Sequence, residues 1–217
     1  MSQASAARIF TDDPKLPAGI LPRGTAGRIL EIGLMLFARD GFHGTSIRDI
    51  GKELGLKPAN LYDHYPSKEH LLAELVRIGH EEHLRAMTRA LLDAGGGPVE
   101  QLQALVCAHV RLHAEYAMLA VVANNEMHAL SPALAAPALA LRQQAEGLLI
   151  DVIERGVQAG VFDPPDPWLA GAAIGGMGMR VAHWYRPTRD RPIDHLTGVY
   201  AELALRMLGV RPSARRR

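Results

Sequence analysis

The chain has 217 residues, of which 48% are hydrophobic, 22% charged and 5% aromatic. That length allows one large domain or two modest ones, and the apolar fraction excludes wholesale disorder. Net charge is only +1, with 24 Lys and Arg against 23 Asp and Glu, so any basic surface must be local. One cysteine, Cys107, excludes an internal disulfide framework and any multi-cysteine zinc or iron–sulfur site. Its plainest role is a small buried apolar residue, and a reducing, cytoplasmic home is expected. The N-terminus lacks an apolar secretory core, since Arg8 is soon followed by Asp12 and Asp13. The longest charge-free apolar stretch, Leu169 to Met179, falls short of the about 20 residues that a bilayer span requires, so no membrane partner is expected.

In chain order, residues 1–22 are small, polar and interrupted by Pro14, Pro17 and Pro22, which predicts a flexible arm. From there to Val210 apolar residues recur at three- and four-residue spacing, without sustained alternation, and helix formers dominate. The predicted fold is all-α. A first helix covers Gly24 to Arg39 and stops at Asp40-Gly41. A second starts at Ser46, an N-cap that pairs with Asp49 in a capping-box pattern, and ends at Gly55. Ile47, Ile50 and Leu54 form its inward stripe. Pro58 opens a short third helix that ends near Tyr65-Pro66, and Ser67 caps a fourth that runs to about Ala94. Gly95-Gly96-Gly97-Pro98 is the clearest break. Further helices are predicted at about 99–115, 116–129, 133–159, 166–185 and 193–208. The division expected is an arm over 1–22, a small helical domain over 23–72, a larger helical domain over 73–210, and a basic tail over 211–217.

Residues 45–65, TSIRDIGKELGLKPANLYDHY, place two short helices around a Leu54-Gly55-Leu56 turn, the layout of a helix-turn-helix. The second helix starts with short side chains, a shape that lets it approach base edges in a major groove.

The run from Arg28 to Leu72 resembles the N-terminal DNA-binding domain of the TetR family of transcriptional regulators. The matching features are Leu36-Phe37, Gly41-Phe42, Thr45, Ile50, Leu54-Gly55, Leu61-Tyr62, His64-Tyr65 and Ser67-Lys68. The resemblance implies a homodimeric, all-helical, ligand-responsive repressor on a double-stranded, palindromic operator. It puts Arg48 where family members often read a base, with guanine the natural bidentate partner. Pro58, Ala59 and Asn60 match the base-facing start of the recognition helix, and adenine suits Asn60. Tyr62, His64 and Lys68 match phosphate-holding positions, and Thr45 and Ser46 lie at a helix start that favours phosphate. Three positions depart from the pattern. Lys57 stands where a small capping residue is common, within reach of a base or a phosphate. Asp63 adds a negative charge beside the phosphate-binding residues. His70 stands where a capping glutamate is usual.

The C-terminal half carries two candidate dimerising helices, about 133–159 and 166–185. The second is rich in small residues from Leu169 to Met177. The segment from Met179 to Pro187 resembles the ligand domain of TetR members that answer acyl-CoA thioesters. That likeness implies an acyl-CoA or fatty-acid-like effector with Arg180 and Trp184 at its polar head. A buried Arg180 would need an anion, either from such a ligand or from an internal carboxylate such as Glu115 or Glu126. Met177, His113 and Asn125 complete the candidate ligand-binding set. His109 and His113 at i,i+4, and His80 and His83 at i,i+3, have spacings able to hold a metal ion. Spacing supplies no third ligand, so no metal site is expected. No cofactor and no catalytic residue are expected either, because no G-x-S-x-G, H-E-x-x-H or P-loop is present and no glycine fingerprint follows a strand. The alternative to an effector-released repressor is a helical protein-interaction module, or a metal-responsive regulator, built on the same helix-turn-helix.

Overall fold

The computed structural model describes residues 14–17, 22 and 24–210. Most of the expected arm, the adjoining Arg23 and the basic tail lie outside the described residues. The elements are α1 (Thr25–Gly44), α2 (Ile47–Leu54), α3 (Pro58–Tyr62), α4 (Lys68–Ala94), α5 (Pro98–Glu115), α6 (Ala117–Asn125), a 3-10 turn (Met127–Ala129), α7 (Pro132–Gln158), α8 (Pro167–Met179), α9 (Val181–Trp184) and α10 (Ile193–Met207). Among the described residues there is no strand, only an isolated bridge between Thr188 and Arg191, and the all-α expectation is borne out. No single helix among them is long and apolar enough to cross a membrane.

Two compact units form. One takes residues up to Glu82 together with Met118–Leu139, and the other takes His83–Ala117 with residues from Ala140 onward. Hence α4 and α7 each contribute residues to both.

In the first unit, α1 buries Ile29, Leu30, Leu34 and Phe37, and α4 buries Leu71, Leu72 and Leu75. Gly33 sets how closely the two helices approach, because a Cβ there would lie 2.8 Å from Leu71 Cδ2. At Gly41 the chain takes φ 76 and ψ 167, which breaks α1 where the sequence predicts, before one further turn to Gly44.

In the second unit, Leu102, Leu105, Val106 and Val110 of α5 join Val152, Ile153, Ile174, Leu196 and Leu205 in one buried cluster. Gly171 of α8 lies against Ile150 of α7, where a Cβ would come within 2.3 Å of Ile150 Cδ1. The helix predicted over 166–185 is divided at Arg180 into α8 and α9. Gly175, Gly176 and Gly178 lower helix propensity just before that joint.

Candidate nucleic-acid interface

The interface is built first by local rules. The Asp49 N–H donates to Ser46 Oγ at 3.2 Å, and the Ser46 N–H donates to Asp49 Oδ2 at 2.8 Å, which closes a capping box at the start of α2. The Ser46 hydroxyl also donates to Asp49 Oδ2 at 2.6 Å. These bonds, the hydroxyl's first and the backbone's second, hold the Asp49 carboxyl below its ordinary pKa. Gly55 ends α2 in the left-handed region at φ 65. The chain then doubles back, and the Leu56 N–H donates to Gly51 O at 2.9 Å. A Cβ on Gly51 would lie 2.8 Å from Leu56 O, so any side chain there would push the turn open. The sequence signal for this was a glycine inside a short helix, and its packing role was not read from it.

The helix α3 has five residues, too few to persist alone. Burial holds it. Leu61 and Tyr65 are inward, and each fully buried side chain of this size contributes about 1.5–3 kcal/mol. The Tyr65 hydroxyl donates to Ala26 O at 3.3 Å, and burial pushes its pKa up to about 12. With those two side chains inward, Lys57, Pro58, Ala59, Asn60, Tyr62 and His64 are all exposed, as are Arg48 on α2 and Asp63. Pro58 stands at the first turn, where its missing N–H costs nothing.

Two expected phosphate contacts are placed differently. Thr45 is 3% exposed, and its hydroxyl faces Gly41 O at 2.9 Å and Leu36 O at 3.2 Å. Its side chain therefore closes the end of α1 instead of facing outward. Lys68 Nζ donates to Phe42 O at 2.6 Å and Thr45 O at 2.7 Å, and lies 4.1 Å from the Phe42 ring centroid. Carbonyls at a helix end are the negative pole of its dipole, so the ammonium fits there. Burial lowers its pKa. The Lys68 ammonium thus ties α4 to the α1–α2 junction. His70 takes the capping role opposite Ser67, with its Nδ1 2.9 Å from Ser67 Oγ.

Of the candidate ligand residues, His113, Met177, Arg180 and Trp184 belong to the second unit and Asn125 to the first. His113 is buried and its Nδ1 meets His109 O at 2.8 Å. Arg180 is exposed, as is Trp184 at 50%. The expected buried arginine is therefore corrected to a surface one, where its charge stays in water instead of needing an internal anion. Glu115 instead lies 3.7 Å from Arg111, and Glu126 accepts from the Phe42 N–H at 3.4 Å.

Comparison with known proteins agrees with this geometry. A family model described as bacterial regulatory proteins of the tetR family matches residues 29–75, and one described as tetracyclin repressor-like, C-terminal domain, matches residues 95–208. The HTH-type transcriptional repressor KstR2 of Mycobacterium tuberculosis is 30% identical over 163 residues, covering 74% of this chain and 81% of the relative. A tetR-family regulatory protein from Rhodococcus RHA1 is 32% identical and superposes with a TM-score of 0.82, over 88% of this chain and all of that one. The structure of the ketosteroid transcriptional regulator KstR2 of Mycobacterium tuberculosis is 25% identical with a TM-score of 0.77, over 89% of this chain and 100% of that chain. These relatives are described as transcriptional or regulatory proteins. The chain belongs to the TetR family of bacterial transcriptional regulators and carries its helix-turn-helix DNA-binding domain.

Proposed function

We propose that the protein is a homodimeric repressor that binds a palindromic operator and is released by a small apolar-acidic effector, such as an acyl-CoA or a fatty acid. The observation that carries the DNA-binding reading is the exposed leading end of α3, held out by the burial of Leu61 and Tyr65 behind it. Arg48 offers a bidentate fork to guanine O6 and N7, and Asn60 offers its amide to adenine N6 and N7. Ser46, Lys57, Tyr62 and His64 line the phosphates around them. Thr45 and Lys68 act behind this surface, by fixing the α1–α2 junction.

The homodimer is supported by α8, which has no charged residue from Pro167 to Met179 yet exposes Trp168 at 65% and Leu169 at 57%. Ala172, Ala173 and Gly176 are exposed beside them and allow close approach of a second copy. Large exposed apolar side chains grouped on one helix mark a partner surface. A two-fold pair would set two α3 helices in successive major grooves about 34 Å apart. The KstR2 relative, described as a ketosteroid transcriptional regulator, supports a lipid-like effector. Arg180 and Trp184, one turn apart and exposed, offer a guanidinium and an indole to its acidic end.

A gel-shift titration with the gene's own upstream DNA tests this reading. Retardation by two chains per duplex, with release by a long-chain acyl-CoA, is expected. Equal affinity for a scrambled duplex would overturn it. Native mass spectrometry of the purified protein checks separately for a co-purified thioester.

A further inference from the structure

In the second unit three histidines converge. His83 comes from the middle of α4, and His109 and His113 stand one turn apart near the end of α5. One ring nitrogen from each lies within 4.8 Å of the other two. His83 Nε2 is 2.8 Å from His109 Nδ1. The ring centroids are 4.9 Å apart for His83 and His109, 5.5 Å for His83 and His113, and 4.5 Å for His109 and His113.

The outer nitrogens of two of these rings are fixed by backbone. His109 Nε2 is 2.9 Å from Gly175 O, and His113 Nδ1 is 2.8 Å from His109 O. A carbonyl oxygen only accepts, so both of those nitrogens carry their protons. The lone pairs are then on His109 Nδ1, which faces His83 Nε2, and on His113 Nε2. Carbonyl bonds that set the tautomer of a ligating imidazole are the usual support of a metal site. Gly178 adds to that support: α8 lies so close that a Cβ there would be 2.3 Å from His109 Cδ2, which leaves the ring no room to turn.

We propose that His83, His109 and His113 bind a divalent transition ion, Zn²⁺ or a close relative such as Co²⁺ or Ni²⁺. Imidazole suits these ions, whereas Mg²⁺ and Ca²⁺ call for oxygen ligands. Three protein ligands leave a fourth position for water or a small ligand, as in exchangeable zinc sites. Nitrogens sharing a tetrahedral zinc sit about 3.3 Å apart, so His83 and His109 need separate by only about half an ångström. When the ion binds, the His83 proton moves to its Nδ1 and the Nε2 lone pair turns to the metal. His83 is half-buried while the other two are buried, so the ion arrives from the His83 side. Once bound, it ties the middle of α4 to the last turns of α5.

The test uses the full chain without an affinity tag, stripped with chelator. Zn²⁺ is titrated calorimetrically, Co²⁺ is followed by visible absorption, and bound ions are counted by native mass spectrometry. One ion per chain, tetrahedral Co²⁺ bands and a raised melting temperature are expected. His83→Gln, at the most exposed ligand, should weaken binding by at least the roughly 10–100-fold that loss of a mere supporting partner costs. Its melting temperature without metal should match wild type, and His195→Gln, an exposed histidine elsewhere, should bind as wild type does. No saturable binding by the wild-type chain, or undiminished binding by folded His83→Gln, overturns the proposal.

Discussion

A Cβ placed on Gly178 would lie 2.3 Å from Cδ2 and 2.6 Å from Nε2 of the His109 ring. Alanine normally improves a helix interior over glycine by about 0.5–1 kcal/mol. Here the methyl group has no space, and overpacking of this kind costs about 1–3 kcal/mol. Gly178→Ala should therefore lower stability by urea or thermal melting, and should weaken Co²⁺ binding with it. Gly198, exposed in α10 with nothing within 4 Å of its Cβ position, provides the opposite case. Gly198→Ala should stabilise by about 0.5–1 kcal/mol.

The Ser46–Asp49 box predicts both a substitution effect and a pH effect. Ser46→Ala removes an N-cap and should cost about 1 kcal/mol. The Asp49 carboxyl titrates below its ordinary 3.8 in the folded chain, and the Glu69 carboxyl, which accepts from the Ser131 N–H at 2.7 Å, titrates below its ordinary 4.5. A depressed carboxyl stabilises the fold above its unfolded pKa, and that stabilisation is lost as pH falls through the folded value. Melting temperature should thus fall on acidification below about pH 4.5, and Glu69→Gln combined with Asp49→Asn should flatten that fall.

The local parts of this site were legible in the sequence because they obey short-range rules. Ser46 with Asp49, Gly55 at the turn and Pro58 at the first helical turn each follow from spacings of a few residues. The inward stripe was legible too, although Ile47 and Leu54 are only half-buried beside Ile50. What spacing could not show was where long side chains end. Lys68 reaches carbonyls 26 and 23 residues earlier in the chain, and Thr45 folds its hydroxyl back to Leu36 and Gly41. Arg180 is exposed and the helix around it is divided, neither of which the apolar periodicity showed. His83 joins His109 and His113 through the packing of α4 on α5, and no sequence interval between residues 83 and 109 announces it.

The exposed face of α8 makes the dimer testable without DNA. Leu169→Glu puts a charge where two copies would meet, and leaves the buried Gly171 and Ile174 of the same helix untouched. Sedimentation should show a folded monomer. Linked binding typically multiplies affinity by about 10²–10⁴, so operator affinity should fall within that range. A Leu169→Glu chain that remains a dimer would place the interface on another helix.

The phosphate-facing residues should act uniformly across sequences. Lys57→Ala and His64→Ala should each weaken binding to specific and scrambled duplexes alike. Substitution of Lys57 should reduce the slope of log affinity against log salt by about one. Fluorescence anisotropy over a range of salt concentrations measures both quantities.

The reading of α3 as the element that enters a duplex is tested most directly by protection of guanine N7 from methylation, since that atom faces the major groove. The account predicts protected guanines in two patches about one helical turn apart on the upstream DNA, with the protection lost in Arg48→Ala and Asn60→Ala chains that fold and dimerise as wild type does. Tight, sequence-selective binding that leaves every major-groove N7 reactive, or that survives both substitutions unchanged, would contradict it.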